Sequence, residues 1–451
     1  MVSPYFPPDT GAAAHRVRLL APHLPNNGWE PVVLTIDPRD YEGRLDHDLA
    51  ALVPGSLRVV RCRAWPARLT RPFGFGDLGL RAFHGLYRSA KRLLASGQFD
   101  ALLVTVFPMY PALLGPALKR WFNIPFVLDY IDPWVSAWGL TTGGGLNGTA
   151  DLKSKLSRRL GVALEPIALR AADAITAVSQ GTYEQILERN PGQKGKLCRE
   201  IPYGGEKADF DAVLRRPRPN GYFDPHDGQI HLCYVGTMLP LGFETLRALL
   251  SAFALMRDRD PNLYGRTWLH FFGTSNQTSP SAPETVMPVA REIGVSRRVT
   301  EIAPRIDYIE ALLVQSQSSG ILMMGSSEPH YTASKLYPGL LAKRPILAVY
   351  HDESSVVRIL RQVARPPVAR VVAYNDRTRA QDKAGDIYHE LRALAEHPAY
   401  DSRLVNMTAA AEFSAEAMAR RLASVLDGVA EPRGLEDGNA GTRASIFEGV
   451  M

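Results

Sequence analysis

Cysteine is scarce in this sequence, which has three in 451 residues. Cys62, Cys198 and Cys233 lie far apart, so neither a disulfide framework nor the paired spacing of a zinc site is present. An odd number of isolated cysteines suits a reducing compartment. The N-terminal residues MVSPYFPPDTG contain no basic stretch followed by an apolar core. We therefore expect no signal peptide and a cytoplasmic protein.

Uninterrupted apolar runs are also missing. Residues 101–118 carry no charge, and this is about the minimum length of a membrane-spanning helix. They contain Pro108, Pro111 and Pro116, and prolines interrupt a helix. The stretch therefore predicts a strand, a turn and a new helix rather than a membrane span.

Several catalytic signatures are absent. The sequence has no Walker A motif, no Gly-x-Ser-x-Gly and no His-Glu-x-x-His. Residues 143–148 (GGGLNG) match the dinucleotide-binding pattern, but they follow AWGLTT and not a strand, so we expect no nicotinamide or flavin cofactor. Asp-x-Asp occurs at 46–48, 209–211 and 258–260, and none of these ends an apolar strand. We interpret them as surface acids and expect no metal.

Positive charge is concentrated in the first half of the chain. The formal net charge is +6, and residues 1–205 hold 24 Lys and Arg against 17 Asp and Glu. The densest part, Arg58–Arg92, has nine basic residues, one acid and several interleaved aromatic residues. No nucleic-acid-binding motif accompanies it, so we expect no nucleic-acid partner. An anionic membrane surface and an ordinary solvated surface remain the two alternatives.

Apolar strands alternate with amphipathic helical segments, which indicates parallel sheets with helices on both faces. The alternation pauses at residues 203–228, which are rich in Pro, Gly, Asp and Arg, and it resumes at Ile230. We predict two doubly wound domains of similar size. The N-terminal domain spans residues 1–205 and the C-terminal domain spans 230–395, with a linker at 206–229 between them. We expect the helices at 396–428 to return to the N-terminal domain and residues 429–451 to form a disordered tail.

Three strand-to-helix turns in the second half are candidate binding elements, because ligands bind at the carboxyl ends of parallel strands. They are YVGTM (234–238), FFGTSNQ (271–277) and YTASKLY (331–337). In the last turn Ser334 is the predicted N-cap and Lys335 lies in the first helical turn. A cation there opposes the helix dipole unless an anion lies between them.

The chain resembles a known family in several such segments taken together. PYFPPDTGAAAHRVRLLAPHL near the N-terminus, DYIDPW at 129–134, AADAITAVS at 171–179, YVGT at 234–237 and SKLYPGLLAKRPILAVY at 334–350 are similar to glycosyltransferase family 4. The match is closest to bacterial polysaccharide enzymes, and it covers about residues 3–425. It implies the GT-B fold, in which two Rossmann-like domains face a cleft.

The resemblance also implies roles for individual residues. The donor nucleotide-sugar would bind the second domain, with the diphosphate facing Lys335 and the Gly236-Thr237 turn and the nucleoside near Gly273 and Arg305. The donor set that the resemblance implies is Gly11, Gly236, Thr237, Gly273, Arg305, Ser334, Lys335 and Leu336. The acceptor set that it implies is His15, Arg16, Asp132 and Trp134, and Asp132 and Lys335 would be the catalytic residues.

The sequence departs from the family pattern at three donor-side positions. Pro338 stands where the family has a glutamate that holds the donor ribose, no basic residue follows the YVG turn in MLPLGFET, and Lys343 replaces a glycine. These departures keep an alternative open, namely a degenerate GT-B protein that binds a glycan or a partner without catalysis. A sugar-nucleotide epimerase of the same architecture is a third alternative.

We expect a hexosyltransferase-type enzyme of cell-surface polysaccharide biosynthesis. It would move a sugar from a nucleotide-sugar to a saccharide or lipid-linked acceptor, without metal and with retention of anomeric configuration. Lys335 and backbone N–H groups would stabilise the departing diphosphate. Peripheral attachment to the inner face of the cytoplasmic membrane through residues 58–92 would bring the enzyme to a lipid-linked acceptor.

Overall fold

The computed structural model describes residues 1–97, 99–135, 152–215, 218–275, 277–327 and 333–430. The glycine-rich residues 143–148 and the predicted tail beyond residue 430 lie outside these ranges. The described residues form two α/β halves, and every strand pairing within the sheets is parallel.

The N-terminal half contains six strands whose residues are mostly apolar. They are β1 (Val32–Ile36), β2 (Arg58–Cys62), β3 (Leu102–Val106), β4 (Phe126–Tyr130), β5 (Ala174–Ala177) and β6 (Leu197–Glu200). Strands β3 to β5 are buried at every position, as expected for a parallel sheet covered on both faces. Val2 lies between β1 and β3. Its N–H donates to Leu103 O of β3 at 2.8 Å, its carbonyl accepts from Thr105 N at 3.0 Å, and it also bridges to Leu34 of β1. The first residues of the chain thus join β2-β1 to β3-β4-β5-β6.

Eight helices accompany these strands within the described residues. They are α1 (Ala12–Leu20), α2 (His47–Ala51), α3 (Ala67–Thr70), α4 (Leu78–Leu94), α5 (Leu114–Phe122), α6 (Leu152–Ala171), α7 (Gln180–Arg189) and α8 (Lys207–Arg215). The uncharged stretch 101–118 forms β3, a short 3-10 turn and the start of α5, as predicted. None of the helices in the described part of the chain is long and apolar enough to cross a membrane.

The C-terminal half is a second doubly wound unit. Its strands are β7 (Ile230–Val235), β8 (Thr267–Phe272), β9 (Val299–Ile302), β10 (Gly320–Met324), β11 (Ile346–His351) and β12 (Ala369–Tyr374), in the order β12-β11-β10-β7-β8-β9. Its helices are α9 (Phe243–Arg259), α10 (Pro261–Arg266), α11 (Met287–Ile293), α12 (Tyr308–Gln317), α13 (Leu336–Leu341), α14 (Ser355–Val363), α15 (Ala384–Glu396), α16 (Met407–Ala411) and α17 (Ala415–Val429). The strand order reverses between β7 and β10, and a crevice forms at such a switch point.

The chain crosses between the two halves twice, and the two crossings are hydrogen-bonded to each other. Gly205 N donates to Phe413 O, and Ala415 N donates to Gly205 O, both at 2.8 Å. Beyond the second crossing, α17 packs against Leu20, Leu103 and other apolar residues of the N-terminal half. The C-terminal helix therefore completes the N-terminal half.

The segment read as a linker is partly ordered and partly buried. Residues Lys207–Arg215 form α8. Asp209 of this helix is only 2% exposed, and its carboxylate forms an ion pair with Arg18. Asp46 is also buried, since it accepts from the N–H groups of Leu49 and Tyr308. The interpretation of these two aspartates as surface acids is therefore wrong. Their partners lie far away in sequence, where local composition gives no signal.

The basic segment Arg58–Arg92 divides into a buried and an exposed part. Arg81 is 4% exposed and donates to the carbonyl of Trp65 at 2.8 Å, so it is a structural residue. Phe83 and Tyr87 pack against the core. By contrast, residues 65–75, here called the aromatic loop, carry four large side chains that are 55–78% exposed, namely Trp65, Leu69, Phe73 and Phe75.

Candidate active site

Lys335 lies at the carboxyl edge of the C-terminal sheet, beside the switch point. Its Nζ donates a hydrogen bond to the hydroxyl of Tyr234 and lies 4.0 Å from the centre of that ring. Burial lowers the pKa of Lys335 to about 7. Lys335 forms no ion pair with a carboxylate in the described residues, and its described polar contact is with Tyr234. A bound anion would therefore stabilise its charged form.

The helix after Lys335 differs from the prediction. Lys335, and not Ser334, occupies the N-cap position of α13, and no side chain caps the helix. Helix α13 has only six residues, and the N–H of Leu336 donates to Ala333 O at 3.1 Å. Leu336 itself is fully buried. The group at this turn that can attract an anion is therefore the ammonium group of Lys335, rather than the helix dipole or the N–H of Leu336.

The turn after β7 brings the backbone against Lys335. Gly236 has a φ of +144°, and a Cβ atom there would lie 2.9 Å from Lys335 Nζ. The carbonyl of Thr237 accepts a hydrogen bond from the Tyr234 hydroxyl at 3.0 Å. Gly236, Thr237 and Lys335 are thus brought together around Tyr234, which was not among the predicted site residues.

Gly273 and Arg305 lie at the neighbouring strand ends. Gly273 has a φ of +68° and lies close to Arg305. A Cβ atom at position 273 would lie 3.8 Å from the Cα atom of Arg305. Arg305 donates from Nη1 to the carbonyl of Thr10 at 2.8 Å. Arg305 therefore links the C-terminal half to the turn that precedes α1.

The N-terminal turn faces the same cleft. Gly11 donates from its N–H to Asp9 Oδ1 at 2.8 Å and precedes α1 with an extended backbone. His15 packs against Tyr308 of the other half, with ring centres 4.6 Å apart and ring planes tilted by 48°. Burial, together with the positive charges of Arg18 and Arg305, lowers the pKa of His15 well below its ordinary value. His15 is therefore a neutral imidazole at physiological pH.

Arg16 does not point into the cleft, and this expectation requires correction. Arg16 is 1% exposed and forms a two-pronged ion pair with Asp129, at 2.8 Å from Nε and 2.6 Å from Nη2. It also donates to the carbonyls of Ile201 and Pro202. Successive helical residues project about 100° apart, so His15 and Arg16 cannot both face the cleft.

Asp132 and Trp134 follow β4, a strand of the N-terminal half, and therefore belong to the same half as His15. Asp132 is exposed. Burial is the main cause of the raised pKa of Tyr203, and the negative charge of Asp132 raises that pKa further. Trp134 packs edge-on against Tyr110 at 6.0 Å and against α6 at Gly161. Trp134 is therefore held as a packing residue, whereas Asp132 is accessible.

A cavity of about 160 Å³ lies between the two halves. Several predicted residues line it, namely His15, Ser334 and Lys335, together with Pro338, Tyr203, Tyr308 and Gln315. The last three were not predicted, because no motif surrounds them in the sequence. Among the described residues, no group of His, Cys, Asp and Glu has a geometry suited to a metal ion.

Comparison with known proteins identifies a family resemblance in the N-terminal half. Residues 11–204 match the family model described as a glycosyl transferase 4-like domain. No curated protein matches the chain significantly.

Solved structures resemble the chain over nearly its whole length. Alr3699/HepE from Anabaena, in complex with UDP-glucose, is 13% identical with a TM-score of 0.59, covering 95% of this chain and 99% of that chain. A glycosyltransferase from Rickettsia africae is 13% identical with a TM-score of 0.56, covering 96% and 98%. A UDP-forming α,α-trehalose-phosphate synthase from Burkholderia vietnamiensis is 12% identical with a TM-score of 0.56, covering 94% and 95%. The chain therefore has the GT-B fold and resembles glycosyltransferase family 4 through the glycosyl transferase 4-like domain of its N-terminal half.

Proposed function

We propose that this protein transfers a sugar from a nucleotide-sugar donor to a saccharide or lipid-linked acceptor in cell-surface polysaccharide biosynthesis. The observation that carries the proposal is Lys335, a partly buried amine at the switch point with no carboxylate partner among the described residues. Such a group is stabilised by a bound anion. A donor diphosphate is an anion of suitable charge, and structures of similar fold were obtained in complex with UDP or UDP-glucose.

The chemical role of Lys335 follows from the charge that develops during transfer. When the bond between the sugar and the diphosphate breaks, the diphosphate gains negative charge. A preorganised cation near that oxygen stabilises the transition state more than the ground state. Gly236 allows the backbone to approach the same point. We expect this arrangement to act without a metal ion and, as in most of the family, with retention of anomeric configuration.

Asp132 is the proposed catalytic carboxylate on the acceptor side. It is exposed, it follows a strand of the N-terminal half, and it influences Tyr203, which lines the same cavity as Lys335. A carboxylate there orients the acceptor hydroxyl or assists its deprotonation. The neutral imidazole of His15 lies on the same side of the cleft and offers a hydrogen-bond partner without adding charge.

We further propose peripheral attachment to an anionic membrane surface on the cytoplasmic side. The aromatic loop supports this, because Trp65, Phe73 and Phe75 are exposed beside Arg68 and Arg71. Aromatic rings partition into the interface while arginines meet anionic head groups. Since the loop belongs to the N-terminal half, attachment would bring the acceptor side to a lipid-linked saccharide.

The test is a screen of UDP-, GDP- and ADP-sugars by thermal shift, followed by donor turnover. A ligand that binds only the folded protein raises its unfolding midpoint. Release of the nucleoside diphosphate, slow alone and fast with acceptor, is the expected result. Binding without release would instead favour the non-catalytic alternative that Pro338 suggests, and an isomerised donor would favour an epimerase.

A further inference from the structure

The cavity between the two halves contains a polar group that the proposed chemistry does not use. The cavity measures about 160 Å³, more than ten times the ~10–15 Å³ that one water molecule needs. It is bounded by α1 and residues 203–206 on one side and by α12 and α13 on the other. Lys335 also lines it, so the cavity adjoins the proposed diphosphate position.

Gln315 is the residue of interest. It lies near the end of α12, lines the cavity and is only 4% exposed. Its side-chain oxygen Oε1 is buried and accepts no hydrogen bond from the part of the chain that the structure describes. Folded proteins seldom leave a buried carbonyl oxygen unpaired, because its desolvation is then uncompensated. Such an atom beside a cavity points to a ligand that donates a hydrogen bond.

The remaining cavity wall indicates what kind of ligand this is. Leu19, Leu312, Pro338 and Leu341 give it a largely apolar surface. Polar side chains interrupt this surface, namely His15, Tyr203, Glu206, Tyr308 and Ser334 besides Gln315. A sugar ring has apolar C–H faces and hydroxyl groups at its edge, so it suits a wall that combines apolar surface with hydrogen-bonding groups. The amine of Lys335 suits a phosphate attached to that ring.

We propose that this cavity binds a hydroxyl-bearing ring of the donor and that Gln315 Oε1 accepts a hydrogen bond from one of its hydroxyls. The ring is either the ribose of the nucleotide or the transferred sugar, which share this chemistry. The inference rests on the proposed function, because it takes the diphosphate at Lys335 as its starting point. Pro338 has no carboxylate with which to bind the donor, and the inference assigns donor recognition to the cavity and Gln315 instead.

The test compares two glutamines of the same helix. Gln315→Met keeps the side-chain length and removes the acceptor. Gln317→Met is the matched control, since Gln317 Oε1 is also buried and unpaired in the described residues, but Gln317 does not line the cavity. UDP and UDP-glucose are titrated into the unaltered protein and both variants by calorimetry. The unfolding midpoint of each protein is measured without ligand.

We expect Gln315→Met to raise the Kd for UDP-glucose about tenfold, and Gln317→Met to leave it unchanged. Loss of affinity for both UDP and UDP-glucose would assign the cavity to the ribose, and loss for UDP-glucose alone would assign it to the transferred sugar. The ligand-free Gln315→Met protein should be as stable as the unaltered one or more stable, because an unpaired acceptor has been removed. A purely structural glutamine would show the reverse, namely lower stability with unchanged affinity.

Unchanged affinity of Gln315→Met for both probes would overturn the inference and leave the proposed function intact. An equal loss in Gln317→Met would also overturn it, since the effect would then belong to the helix and not to the cavity. If the unaltered protein binds neither UDP nor UDP-glucose, the uridine donor and this inference fail together.

Discussion

The ionisation of Lys335 makes donor binding depend on pH in a defined direction. Burial lowers its pKa from the ordinary 10.5 to about 7 in the ligand-free protein. A bound diphosphate favours the charged amine and raises this pKa again. Above neutral pH, binding must therefore take up a proton.

The size of the effect follows from that pKa. With a pKa of about 7, about one tenth of the ligand-free molecules carry the charge at pH 8. Binding at pH 8 should then take up about 0.9 proton, and the Kd should rise about tenfold per pH unit above neutrality. Below pH 7 the Kd should be flat, because Lys335 is already charged.

Calorimetric titration of UDP-glucose at pH 6, 7, 8 and 9 measures this. Two buffers with different ionisation enthalpies give the proton uptake directly. UDP-glucose is preferable to UDP, whose terminal phosphate itself titrates near pH 6. Lys335→Arg is the control, since a guanidinium stays charged and should give a flat profile. Lys335→Ala should bind weakly at every pH and lower turnover about 100-fold.

The stability of the ligand-free protein should change in the opposite direction. Between pH 7 and 10.5 the unfolded chain holds a proton on Lys335 that the folded chain lacks. This residue therefore makes the free energy of unfolding rise with pH across that window. A pH-independent Kd together with no proton uptake would refute the assignment of Lys335 to the diphosphate.

Three further predictions concern the metal, the acceptor and the membrane. Activity should survive EDTA, and loss of activity that Mg²⁺ or Mn²⁺ restores would contradict a metal-free donor site. Asp132→Asn should lower transfer strongly while the donor Kd stays within about twofold; a collapse of donor affinity would move Asp132 to the donor side. The double change Trp65→Ser and Phe73→Ser should abolish salt-sensitive sedimentation with phosphatidylglycerol vesicles, whereas Trp121→Ser, an exposed tryptophan outside the aromatic loop, should not. If the unaltered protein does not sediment with these vesicles at low salt, the aromatic loop is only a solvated surface.

Sequence patterns predict the two sheets well because parallel strands leave a strong signal. Segments such as LLVTV and ILAVYH are mostly apolar, and they are buried throughout. The strand-end turns at Gly236 and Gly273 could be found for the same reason, since each glycine directly follows such a segment. Both glycines do adopt positive φ angles.

The remaining site residues depend on long-range contacts. Arg16 pairs with Asp129, which is 113 positions away, so its burial cannot be inferred from the helix that carries it. Tyr234 acquires its role only when β7 meets Lys335, 101 positions later. Gln315 lies in a helix with an otherwise ordinary apolar face, and only the folded structure shows that its oxygen lacks a partner in the described residues.

The paired crossings at Gly205 and Phe413–Ala415 have a mechanical consequence. Both chain passages are tied together at one place, where a Cβ atom on Gly204 would lie 2.9 Å from Ala415 N and one on Gly205 would lie 2.8 Å from Leu341. Such crowding leaves little room for the two halves to slide past each other, so we expect any relative motion to be a rotation about this point. Opening then breaks contacts remote from the pivot, such as Arg305 to Thr10 and Arg44 to Asp307. We therefore expect the double crossing to serve as the hinge about which the two halves, and with them Asp132 and Lys335, change their separation.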